Sequence, residues 1–150
     1  MIYLASFKGT KTGWQGLIER LTRWVTKSDY AHSEICIGNP FESAVLCASS
    51  VGTDGGVRAK TMQLLPNDWE ILPMPWVTEQ SINDFLNDHS HDGYDVIGTI
   101  RTVLPFVSCE HPAKWFCSEV VATIAGFIDP WRYAPANLHV SVKSINELKD

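Results

Sequence analysis

The chain predicts an α+β domain, and three observations carry that prediction. Residues 2–7 and several segments between 31 and 73 have the two-residue alternation of short strands. Four further stretches repeat apolar residues at helical spacing. The order is helix, then strands, then helices, which suits helices gathered on a sheet rather than alternating βα units. With 150 residues, 45% of them hydrophobic and a mean hydropathy of -0.06, the chain is long enough for a single core over 1–150.

Taken in order, residues 2–7 (IYLASF) read as a first strand closed by Lys8-Gly9. Trp14, Leu17, Ile18, Leu21, Trp24 and Val25 then mark one face of a helix, with Thr12 as a cap. Residues 31–38 (AHSEICIG) form a strand with Ile35 and Ile37 on one side and His32, Glu34 and Cys36 on the other. Asn39-Pro40 turns the chain into a strand at 43–50, making a hairpin. Thr53-Asp54-Gly55-Gly56 is a tight turn before a strand at 57–62, and 69–73 (WEILP) is another strand. A helix follows over 78–89, capped by Thr78, with Ile82, Phe85 and Leu86 facing inward. Residues 94–104 have helical spacing, 105–114 read as loop, and 115–127 (WFCSEVVATIAGF) as a buried helix opening near Cys117. The tail carries little pattern before a terminal helix from Val142.

Composition excludes several classes. Twelve basic against seventeen acidic residues give a net charge of -5, which lacks the basic footprint of a nucleic-acid binder. No apolar run reaches the roughly 18–20 residues that span a bilayer, so stable membrane insertion is not expected. The start lacks an apolar segment behind basic residues, which sets a cytoplasmic location as the expectation. Cys36, Cys47, Cys109 and Cys117 contain no CxxC pair, so free thiols are expected and no metal or cofactor is implied. A metal set of His32, Cys36, Cys47 and Cys117 has poor spacing.

Cys117 is the position with most chemical promise. A thiol at a helix N-terminus faces unpaired N–H groups and the positive end of the macrodipole, which favour the thiolate. An imidazole beside it would make an activated nucleophile. His32 is the partner of choice; His89 and His91 flank a polar loop, His111 precedes a proline, and His139 lies in the tail. A third polar group must orient that imidazole. Cys47 and Ser49 share one face of the neighbouring strand, and Glu34 shares the face of His32. Each of these residues also has a bland reading, Cys117 as a small buried hydrophobe and His32 as a satisfied strand-edge histidine.

The blocks YAHSEICIG, LCASSVGTDGGVRAK, GYDVIG and KWFCSEVVA together resemble the circularly permuted branch of the NlpC-type papain-like cysteine hydrolases, over about residues 2–138. The resemblance implies a papain-like fold, a small antiparallel sheet or half-barrel beside helices, with the base on an early strand and the nucleophile opening a late helix. It implies Cys117 as nucleophile, His32 as base, and an orienting residue at Cys47 or, one pleat along, Ser49, the preferred choice. Tyr94, Glu34 and Trp115 are expected to line the substrate cleft. The expected activity is cleavage of a peptide-like or peptidoglycan-stem amide through an acyl-enzyme. A lipid or thioester acyl hydrolase or transferase is the alternative, and a non-catalytic binding module is another, motivated by a thiol at position 47. Arg58 is read as an internal ion-pair partner, and Gly55 and Gly56 as turn residues. Glu119 falls in the first turn of the Cys117 helix, where it favours the helix dipole.

Overall fold

The computed structural model describes residues 1–9, 29–94 and 114–149. These form a mixed α+β structure: a curled seven-stranded half-barrel sheet with three helices. The strands are β1 (Ile2–Phe7), β2 (His32–Ile37), β3 (Val45–Val51), β4 (Gly56–Met62), β5 (Trp69–Pro73), β6 (Gly93–Tyr94) and β7 (Lys114–Trp115). The helices are α1 (Glu79–His89), α2 (Cys117–Ile124) and α3 (Pro135–Glu147). Sheet order is β5-β1-β2-β3-β4-β6-β7, antiparallel except for the β6–β7 pair.

Alternation assigns each strand residue to a face. Ile2, Leu4, Ile35, Ala48 and Val57 join Val120, Val121, Leu138 and Val142 in the main core, so this face lies under α2 and α3. The fully buried Leu4, Ile35, Val120 and Val121 each contribute about 1.5–3 kcal/mol by leaving water. Ala5, Cys36 and Cys47 point to the opposite face and join Leu64 in a smaller cluster with Phe41 and Trp69 against it. The predicted division of β2 between its two faces therefore holds.

Local chemistry sets the ends. Thr78 caps α1 by accepting from the Ser81 amide at 3.1 Å, a bond of the kind worth about 1 kcal/mol. A short 3-10 turn, Gly52–Asp54, leads into Gly55 at φ 88 and Gly56 at φ 139. At Gly56 a Cβ would sit 2.0 Å from the Asp92 carbonyl oxygen, so only glycine lets β4 meet β6 here. α3 begins at Pro135, well before the expected Val142; proline at the first helical position gives up no hydrogen bond. α2 opens at Cys117, as expected, directly after Trp115 of β7, and ends at Ile124, before the expected Phe127. The helices expected over 14–25 and 94–104 lie outside the described residues, apart from Tyr94, which is in β6. Among the described residues no helix is long and apolar enough to cross a membrane.

Candidate active site

The β2–β3 pairing runs over Ile35↔Ala48, Cys36↔Cys47 and Ile37↔Leu46. Continued toward the start of β2, that register sets Ser49 opposite Glu34 and Val51 opposite His32. The two strands part company here. Ser49 Oγ donates to the Ser33 carbonyl at 2.7 Å, and the Ser33 amide donates to the sulfur of Cys117. A side chain from α2 thus takes the place of a strand partner. Cys117 also accepts from the Ser118 amide and is 5% exposed.

His32 opens β2, on the face opposite Ile35. Its Nε2 donates to Glu34 Oε1 at 2.9 Å, and the Cys117 sulfur is its other electrostatic partner. Trp69 stands edge-on to the imidazole, ring centroids 6.1 Å apart, and packs on Phe7 at 5.1 Å. Register explains this contact: Phe7 pairs with His32 on one side and with Trp69 on the other.

Glu34 is 1% exposed, so its charge needs strong partners. Arg58 supplies them. Nη1 donates to Glu34 Oε2 at 2.8 Å, and Nη2 donates to Oε1, the oxygen that also takes the His32 proton. Arg58 Nε donates in turn to Asp54 Oδ2 at 3.0 Å, and Lys60 pairs with Asp54 Oδ1 at 2.7 Å. His32, Glu34, Arg58, Asp54 and Lys60 form one chain of alternating charge from the interior to the surface.

Electrostatics follow from these contacts. Burial pushes the His32 imidazole down, but the Cys117 thiolate and the Glu34 carboxylate outweigh it and raise the imidazole from 6.5 to about 9. Burial pushes the Cys117 thiol up, yet the His32 charge and the Ser33 and Ser118 amides bring it below its ordinary value. Glu34 behaves likewise: burial raises it, and His32 and Arg58 hold it below the usual carboxylate range. The two shifts run in the directions that favour a thiolate–imidazolium pair over the neutral pair.

The structure brings Cys117 and His32 together, and the side chain bonded to His32 Nε2 is Glu34, not Ser49 or Cys47. Ser49 spends its hydroxyl on the Ser33 carbonyl. Cys47 lies one pleat farther from His32 than Ser49 does, its sulfur 3.1 Å from that of Cys36, both thiols free and buried. Glu34, expected in the cleft wall, is instead buried between His32 and Arg58. Trp115 packs its indole on Phe85 and His89 of α1 and donates Nε1 to Asp92 at 2.8 Å; its carbonyl accepts from Ser50 at 2.7 Å. It braces the strand leading to Cys117. Tyr94 lies against Gly52, whose Cβ position is 3.2 Å from the ring. Arg58 makes the internal ion pair expected of it, and Glu119 accepts from the Phe116 amide at 3.4 Å at the start of α2. Trp69 was not among the expected site residues; its place beside His32 depends on the β5–β1 pairing, which no local pattern announces.

Among the described residues no group of three or more His, Cys, Asp or Glu side chains has the spacing to hold a metal ion. Set against known protein families, curated proteins and solved structures, the chain matches none of them.

Proposed function

We propose that the chain is a thiol hydrolase or acyl transferase of the permuted NlpC-type, papain-like kind, acting on a peptide-like amide. The observation that carries this reading is the contact order Cys117–His32–Glu34, with the sulfur at the first residue of α2. The Cys117 thiolate attacks the carbonyl carbon, and amide N–H groups at the start of α2 receive the developing oxyanion. As the tetrahedral intermediate collapses, His32 passes its proton to the leaving amine and the acyl group remains on sulfur. Neutral His32 then takes a proton from water, or from an acceptor amine, and the second collapse returns the thiolate. Glu34 holds the ring and favours its charged form throughout. A carboxylate in this role also removes the motive for a non-catalytic module, which rested on a thiol at position 47.

The test is covalent labelling with a thiol-directed acyl probe in two forms, a peptide-like amide mimic and a long-chain thioester. Wild-type protein is expected to label on Cys117, faster with the peptide-like form. Cys117→Ala and His32→Ala are expected to lose the label while keeping the fold. Undiminished labelling of both variants refutes the reading; preference for the long-chain probe transfers it to acyl-lipid substrates.

A further inference from the structure

Arg58 touches neither Cys117 nor His32 among its described polar contacts, yet its guanidinium holds both oxygens of the carboxylate that orients His32. We propose that Arg58 is a positioning residue for the Cys117–His32 pair: anchored by Asp54, it fixes the Glu34 carboxylate against the imidazole and balances the charge of the buried cluster. This rests on the reading of Cys117 and His32 as a working pair.

Three observations support it. The first is geometry. A guanidinium fork matches both carboxylate oxygens, and Oε1 is shared with His32 Nε2, so rotating Glu34 breaks two bonds at once. Arg58 is itself clamped from the other side by Asp54, while its Nη1 also donates to the Cys47 carbonyl at 3.4 Å.

The second is the turn that builds the clamp. Asp54 sits four residues before Arg58, and the two positive-φ glycines between them fold the chain so that the carboxylate faces back onto β4. Gly56 also lets β4 pass close to Asp92, which holds the start of the Arg58 strand in place. Ser49, opposite Glu34 on the intervening strand, is small enough for Arg58 to reach across it; Arg58 pairs with Ser49 in the sheet.

The third is charge. The groups facing one another are Cys117 on α2, His32 and Glu34 on β2, Arg58 on β4, and Asp54 with Lys60 at the surface end. With Cys117 as thiolate and His32 as imidazolium, the inner four sum to zero. Without Arg58 they sum to one negative charge in a buried place, and the cluster answers by binding a proton. Thiolate is then lost at the acid side of the working range.

The experiment is the pH profile of iodoacetamide alkylation on the full chain, read by mass spectrometry of the peptide containing Cys117, with circular dichroism to confirm folding. Wild type is expected to alkylate from well below the ordinary thiol range. Arg58→Met is expected to move that acid limb up by about one pH unit or more, a reaction about tenfold slower than wild type at pH values well below both midpoints. Arg58→Lys, which keeps the charge but loses the fork, is expected to move the limb up by less than Arg58→Met does. In Glu34→Gln/Arg58→Met the charge balance returns, and the limb falls back toward wild type. A purely structural arginine predicts instead that the double variant is no better than Arg58→Met. Should Arg58→Met not fold, the double variant is compared with Glu34→Gln alone: a higher limb in the double variant supports the proposal, equal limbs overturn it. A wild-type limb in the ordinary thiol range overturns the Cys117–His32 pair, and the proposal with it. A depressed wild-type limb that survives Arg58→Met overturns the proposal alone.

Discussion

Among the described residues, two histidines sit between an oxygen or sulfur atom and a carboxylate, and their surroundings differ. His139, on α3, has Nδ1 2.9 Å from Ser6 Oγ and Nε2 3.4 Å from Glu70 Oε1; Tyr30 stacks on the ring and donates to Glu70 at 2.7 Å. On paper this is a serine triad. Yet Ser6 is fully buried, the His139 side chain is 3% exposed, and Glu70 is a half-exposed carboxylate shared with Tyr30. Burial wins, and the imidazole is held below its usual value, neutral at pH 7. His32, 14% exposed, faces an ionisable thiol and a buried carboxylate locked by arginine, and its value goes the other way. Contact order is common to both; charge and access separate them. His139 is a dry joint that fastens α3 to β1 and β5.

The comparison can be broken most severely by exchanging the two losses. His32→Ala is expected to slow probe acylation by about 10²–10⁴-fold, the usual worth of a general base. His139→Ala is expected to leave the acylation rate of folded protein unchanged and to lower stability instead. Equal rate losses in the two variants would erase the distinction drawn here. Next in size, Glu34→Gln should cost tenfold or more in acylation rate and bring the basic limb of the pH profile down from near 9, since the amide no longer favours imidazolium. A basic limb that stays put would show Glu34 acting only as a spacer.

The two rings should also give stability opposite pH signs. His32 is raised in the fold, so its contribution is full below about 6.5 and is lost as pH climbs through about 9. His139 is lowered, so its contribution is present above about 6.5 and is lost as pH falls through its folded value. Melting curves of wild type against His32→Gln between pH 7 and 10, and against His139→Gln between pH 7 and 5, measure the two losses separately. The smallest effect is Ser6→Ala, expected to destabilise by about 1–2 kcal/mol through the unpaired Nδ1, with no change at Cys117.

Much of the candidate site was legible because Cys117 and His32 announce themselves locally. Alternation in AHSEICIG separates His32 from Ile35, and the switch to an apolar helical pattern after Phe116 marks Cys117 as a helix start. The orienting residue was harder. Its identity turns on hairpin register, which the loop between β2 and β3 sets and no residue type declares. That register puts apolar Val51 opposite His32 and sends Cys47 to Cys36, so the neighbouring strand has nothing to offer the ring. The acceptor comes from the same strand, two residues along. Trp69 and the Arg58 fork depend on pairings across three or more strands and were invisible for the same reason. The early start of α3 was available in Ala134-Pro135 and was masked by a tail of weak apolar pattern.

The parting of β2 and β3 at Ser33 makes one backbone amide a gauge of the sulfur's charge. An N–H held by an anion resists exchange with deuterated water, whereas the same N–H beside a capped or protonated sulfur loses its strongest acceptor. Isotope uptake at that single peptide unit is therefore expected to rise when the Cys117 sulfur is alkylated or protonated.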